Sequence, residues 1–179
     1  MRIVVTGGNG NIGAHIIREL LRQGYDDIVC FDRMERSIHP EAVRYISGDR
    51  HNEQAYIRVM RELKPDIAFE LTCFDAQDAQ VSIEAFRDVK HFITASTVCT
   101  YGKHFNHFPI REEDWFQPCI QYGINKHAAD LMYLDAFRRE GFPVTIMKPC
   151  TSYSEMSGML RNLTTEHTWI DRVKKGKPI

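Results

Sequence analysis

The chain has no long hydrophobic run, no paired cysteines and almost no net charge, and each absence excludes a class of protein. Nothing approaches the roughly 20 consecutive apolar residues that a spanning helix needs. The apolar start, Ile3 to Thr6, breaks at Gly7, too early for the core of a signal sequence. The five cysteines (30, 73, 99, 119 and 150) are odd in number and contain no C-x-x-C pair. That pattern points to a reduced, cytoplasmic protein rather than a disulfide scaffold. A net charge of −1 supplies no field to draw nucleic acid or an anionic membrane. The one basic cluster, Arg172 to Lys177, closes a predicted helix, where cations face the negative end of the helix dipole. There is no internal repeat. With 43% apolar and 26% charged residues over 179 positions, the composition is that of one soluble globular domain with a proper core.

What is present is a strict alternation of two periods. Ile3 to Thr6 reads as a buried parallel strand. A helical stripe follows with Ile12, Ile16 and Leu20, joined by Ile17 and Leu21, and Gly24 is placed for a left-handed C-cap. Ile28 to Phe31 and Val43 to Ser47 read as strands. Asn52 is placed to cap a helix through Leu63 with Ala55, Val59, Met60 and Leu63 inward. Asp66 to Leu71 is a fourth strand, Gln77 to Phe86 a helix and Val89 to Ala95 a fifth strand. Gln121 to Glu140 is a long helix ended by Gly141, and Pro143 to Lys148 a sixth strand. This order predicts an α/β fold: a doubly wound parallel sheet, a Rossmann fold, with helices on both faces.

Thr6-Gly7-Gly8-Asn9-Gly10-Asn11-Ile12-Gly13 falls at the first strand–helix junction. Glycines there let the backbone approach a pyrophosphate, and the helix start offers N–H donors and partial positive charge. Asp32 ends the second strand, nineteen residues beyond Gly13. A carboxylate there accepts from both hydroxyls of an adenosine ribose and repels a 2′-phosphate, which favours NAD. Arg33 follows directly and can pair with such a phosphate, so NADP stays open.

Tyr122 and Lys126 open the long helix four residues apart, about one turn, and therefore share a face. A tyrosine base near neutrality must be brought well below its ordinary pKa of about 10, and a nearby ammonium favours the phenolate. The segment Thr94-Ala95-Ser96-Thr97-Val98-Cys99-Thr100-Tyr101-Gly102 follows the fifth strand. It lies at the carboxyl edge, where doubly wound sheets bind ligands. The combination of the two segments carries more than either alone.

T-G-G-x-G-x-x-G, the acid after strand two, Gly48-Asp49, S-T-V-C-T-Y-G and Y-x-x-x-K together resemble the extended short-chain dehydrogenases/reductases, the NAD-dependent epimerase/dehydratase type. The similarity runs through the whole chain in order. It implies Tyr122 as catalytic acid/base, Lys126 on the nicotinamide ribose and lowering the tyrosine pKa, and Thr97 as the substrate-binding hydroxyl with Ser96 beside it. Gly7, Gly10, Asn11, Ile12 and Gly13 would hold the pyrophosphate. Asp49 and Arg50 would lie near the adenine, with Leu71, Thr72 and Cys73 in a cofactor-lining turn. The implied chemistry is hydride transfer to or from a sugar-like, nucleotide-linked hydroxyl substrate. Relatives of this type dimerise through the helix that bears the tyrosine. Ile124, Ala128, Leu131 and Leu134 could face either the sheet or such a partner.

The pattern departs from the family after strand six. Lys148-Pro149-Cys150-Thr151-Ser152-Tyr153-Ser154-Glu155 stands where an arginine, a proline, a substrate-touching asparagine and Tyr-Gly-Pro are usual. Thr151 takes the asparagine position and becomes the substrate candidate. The reading divides the chain into a dinucleotide-binding domain, 1–155, and a helical stretch, 156–179, leading toward a substrate-binding region. It expects the chain to be part of a longer protein, the alternative being a natural short form whose missing surface a partner covers.

Other candidates carry less. His104 and His107, near Glu112, Glu113 and Asp114, match no metal-ligand spacing, so no metal is expected. Cys99 reads as a packed thiol. Trp115 and Phe116 read as loop anchors, and Trp169 as packing the last helix. The rival function is a non-catalytic dinucleotide-binding or RNA-binding module, since Asp75 to Tyr101 also resembles chloroplast stem-loop-binding proteins. The joint presence of Tyr122, Lys126 and Thr97, and the lack of positive charge, argue against it.

Overall fold

Six short strands lie side by side, all parallel, in the computed structural model, which describes residues 1–104, 108–152 and 169–177. In chain order they are β1 (Ile3–Thr6), α1 (Asn11–Arg22), β2 (Ile28–Asp32), β3 (Arg44–Ser47), α2 (Glu53–Leu63), β4 (Ile67–Glu70), α3 (Ala76–Ala85) and β5 (His91–Ala95). A 3-10 turn (Val98–Tyr101), α4 (Gln121–Glu140) and β6 (Val144–Met147) follow. The spatial order is β3-β2-β1-β4-β5-β6, the doubly wound arrangement with its switch point between β1 and β4. All carboxyl ends therefore meet at one edge.

The chain divides into two units, Met1–Pro149 and Cys150–Ile179. The sheet and α1 to α4 belong to the first. In the second, α5 (Trp169–Lys174) carries Asp171 in its first turn and Arg172 and Lys174 in its last. The Trp169 side chain, and Tyr153 to Glu155, lie outside the described residues.

β1 is buried on both faces, which explains its unbroken apolar sequence. Val4 points into a core shared with α2, α3 and α4, and Ile3 and Val5 into one shared with α1. The first contains an aromatic train in which the Tyr56 ring lies 5.3 Å from Phe31 and 6.2 Å from Phe86. Gly24 and Gly141 take the left-handed conformation expected after α1 and α4.

Three local expectations need correction. Asn52 precedes α2 but makes no side-chain cap bond; its carbonyl oxygen instead accepts from Tyr56 N at 2.9 Å. The buried face of α2 is Tyr56, Ile57, Met60 and Leu63, whereas Ala55 and Val59 are half-buried. Tyr56 turns inward because its hydroxyl finds Glu70 Oε2 at 2.6 Å, which removes the cost of burying it. Trp115 is 80% exposed, while Phe116 stacks on Tyr101 with centroids 4.9 Å apart.

Candidate functional site

The glycine loop lies at the carboxyl edge and is closely packed. Gly7 has φ +66°, and its carbonyl oxygen accepts from Gly10 N at 3.0 Å. A Cβ on Gly13 would stand 2.4 Å from that oxygen and 2.7 Å from Gly8 Cα. Only glycine permits α1 to start this close to the loop. Asn11 and Ile12 open α1, and no side chain caps it. Asn9, buried and not singled out by the spacing, braces the loop. Its backbone N donates to Asp32 Oδ2 at 3.1 Å and its side-chain amide to Tyr45 Oη at 3.2 Å.

Beside the loop opens a cavity of about 220 Å³ lined by Gly7, Asp32, Arg33, Asp49, Arg50 and Thr72. Phe31, His51 and Phe74 join that wall without having been flagged by sequence. Asp32 is fixed from both sides, because Met34 N donates to its other oxygen at 3.1 Å. Asp49 is exposed; the backbone amide and then the ring of His51 hold its carboxyl below the usual range. Arg33 is exposed.

Arg50, expected near an adenine, also has partners in the interior. It borders the cavity, but its guanidinium is directed inward, 3.3 Å from Glu70 Oε1 and 3.3 Å from Asp78 Oδ1. Burial by itself would lower its pKa; Glu70, Tyr56 and Asp78 reverse that and hold the cation firmly charged. Glu70 is fully buried, which would favour its neutral form, yet Arg50 and hydrogen bonds from Thr72, Tyr56 and Thr6 hold it below the ordinary glutamate range. Thr72 Oγ1 donates to Glu70 Oε1 at 2.6 Å, and Leu71 N to Thr6 Oγ1 at 3.1 Å.

Along α4 the positions 122, 126 and 130 form a stripe one turn apart, and each meets the end of β5. Tyr122 is 44% exposed and close enough to Thr97 for that side chain to favour its phenolate. Lys126 is buried, and its ammonium donates to the carbonyl oxygens of Cys73, at 2.6 Å, and Ala95. Asp130 accepts from Ser96 Oγ at 2.8 Å and forms a close ion pair with Lys148. Ser96, expected at the substrate, is thus bound into the interior, while Thr97 stays with Tyr122. The spacing of Asp130, four residues beyond Lys126, was the available signal for this third contact.

The expected depression of the Tyr122 pKa is absent. Partial burial raises the phenol above 10, Cys99 adds to this and Thr97 only partly offsets it. The Lys126 ammonium faces two carbonyls instead, and burial lowers its own pKa. Thr151 is exposed in the second unit. Among the described residues no group of three or more potential ligands could hold a metal, and no helix is long and apolar enough to cross a membrane.

The chain is similar to 2′-dehydrokanamycin reductase of Streptomyces kanamyceticus, at 28% identity over 99% of this chain and 50% of that protein. It is 24% identical to the UDP-glucose 4-epimerase of Lactobacillus helveticus over 83% of this chain and 51% of that one. The chain thus spans about half the length of these relatives. Among solved structures it resembles a double mutant of DesIV, a dTDP-glucose 4,6-dehydratase from Streptomyces venezuelae with NAD and DAU bound. That match has a TM-score of 0.79 at 21% identity and covers 98% of this chain and 63% of the other. The model of the NAD dependent epimerase/dehydratase family matches residues 3–179, and the chain belongs to that family.

Proposed function

We propose that this chain is the nucleotide-binding and catalytic half of an NAD-dependent enzyme that oxidises or reduces a hydroxyl-bearing, sugar-like substrate, nucleotide-linked as for the epimerases it resembles. The observation that carries this reading is Tyr122 on α4 one helical turn from buried Lys126, beside Thr97 and at the same sheet edge as the glycine loop. The residues fit NAD. The loop has no room for a Cβ at Gly13, and the fixed Asp32 carboxylate lines the adjoining cavity with oxygens suited to ribose hydroxyls.

NAD, when bound, accepts a hydride from the substrate carbon or returns it. Tyr122, a neutral phenol in the free protein, gives its proton to a substrate carbonyl oxygen or, as phenolate, takes one from a hydroxyl. Thr97 orients that oxygen. Lys126 fixes the start of α4 against β5 and the turn after β4; with NAD bound, its charge would serve the nicotinamide ribose. Thr151, exposed in the second unit, keeps its place as substrate candidate, and the reduced cytoplasm that of the site of action.

Supplying the NAD-loaded chain with UDP-glucose, dTDP-glucose and aminoglycoside alcohols, and following absorbance at 340 nm, tests this directly. Reduced cofactor should form with one class, and Tyr122→Phe should abolish it while NAD still binds. Equal rates in Tyr122→Phe would remove tyrosine from the chemistry.

A homodimer through α4 belongs to the same proposal. Ile124, Leu131 and Phe137 are 44%, 51% and 55% exposed, so these side chains face away from the sheet. Sedimentation should give twice the 20.8 kDa chain mass, and Leu131→Glu should give the monomer. A wild-type monomer at all concentrations would remove the dimer.

A further inference from the structure

Glu70 ends β4 opposite Thr6 of β1, at the switch point of the sheet, with no exposed surface. Its two oxygens serve different neighbours. Oε1 accepts from Thr6 Oγ1 at 2.7 Å, Thr72 N at 2.7 Å and Thr72 Oγ1 at 2.6 Å. Oε2 accepts from the Tyr56 hydroxyl at 2.6 Å and Ser82 Oγ at 3.1 Å. One oxygen thus faces the cofactor loops and the other the helical layer. Arg50 closes the circuit: it lies 3.3 Å from Oε1 and donates to Asp78 O at 2.8 Å and Ser82 Oγ at 3.3 Å on α3.

Thr72 is the link to the ligand space. It lines the cavity, and its Cγ2 stands 2.7 Å from where a Gly7 Cβ would be. A shift of Thr72 is therefore felt at the backbone of the glycine loop. A buried ion pair gains little over apolar residues of the same volume, so its effect is better sought in order than in stability. A binding site gains when its wall is held in place before the ligand arrives.

We infer that Arg50 and Glu70 are a positioning pair for the dinucleotide: Glu70 holds Thr72 against Gly7, and Arg50 locks the carboxylate to α3 without touching the ligand. This rests on the reading of the cavity as a dinucleotide site. It separates Arg50 from Asp49, its exposed neighbour, which stays available to a nucleotide.

The test is NAD affinity by calorimetry on the full chain, at a temperature where circular dichroism shows each variant folded. Glu70→Gln, Arg50→Lys and Thr72→Val should each weaken NAD binding on the order of ten-fold, the scale set by one charge-assisted hydrogen bond. Tyr56→Phe, which cuts only the bond on the helical side, should lower the melting temperature and leave the affinity unchanged. Weakening in Arg50→Lys alone, with Glu70→Gln normal, would overturn the inference in favour of a direct Arg50 contact. Normal affinity in all three would reduce the pair to a structural role. If the wild-type chain binds no dinucleotide, the reading of the cavity fails and this inference with it.

Discussion

The Lys126 ammonium donates to the carbonyl oxygen of Cys73 at 2.6 Å and so ties α4 to the turn after β4. A second bond, to Ala95 O, ties the same helix to β5. Lys126→Met keeps most of the volume but leaves two carbonyls without their donor. The expected loss is about 2–3 kcal/mol, a fall in melting temperature of roughly 4–12 °C for a domain of this size. Thermal unfolding followed by circular dichroism checks it, and an unchanged midpoint would deny the lysine its structural role.

Tyr122 should titrate above the ordinary tyrosine range in the free chain, because partial burial favours the neutral phenol and only Thr97 opposes it. Thr97→Val removes that opposing hydroxyl and should move the titration further up. Carbon-13 NMR of ring-labelled tyrosine, assigned with Tyr122→Phe, follows the one resonance. A downward shift in Thr97→Val would reverse the sign of this account.

Acid stability should depend on Glu70. Its folded pKa lies below the unfolded value of about 4.3, so its stabilising contribution is complete above that pH and is lost as pH falls through the folded value. Glu70→Gln leaves Arg50 buried without its main counter-charge, a loss of about 3–5 kcal/mol near neutrality. Denaturant midpoints of the two proteins should therefore differ most above about pH 5 and converge below it. A constant gap down to pH 3 would show that Glu70 is not the group responsible.

The glycines of the loop should not be equivalent. Gly13→Ala places a methyl 2.4 Å from a backbone oxygen, whereas Gly10→Ala meets the same oxygen at 3.1 Å. Gly13→Ala should cost on the order of 3 kcal/mol, while Gly10→Ala should cost less than about 1. Urea unfolding of the two variants checks the order, and equal losses would contradict the packing described.

The alternation of strands and helices was legible in the sequence because buried parallel strands and amphipathic helices have different periods. Every strand falls within a residue or two of its expected place. The glycine loop and Asp32 were legible because their backbone requirements are local. Tyr56 was not, because a phenol counts as polar until its partner, Glu70, is known. α4 inverts the usual logic: Lys126 and Asp130 face inward while Ile124 and Leu131 face out. A hydrophobic stripe therefore misleads about which side meets the sheet. The inward turn of Arg50 was hidden for a related reason, since its position beside Asp49 does not reveal the acids that draw its guanidinium into the interior.

The central claim is a dinucleotide site built from the glycine loop and Asp32, and calorimetric titration of NAD and NADP into the purified chain tests it most directly. The account predicts one NAD site per chain, with NADP weaker by about ten-fold or more because its 2′-phosphate meets a fixed carboxylate. Absence of heat with both nucleotides, or tighter binding of NADP, would contradict it.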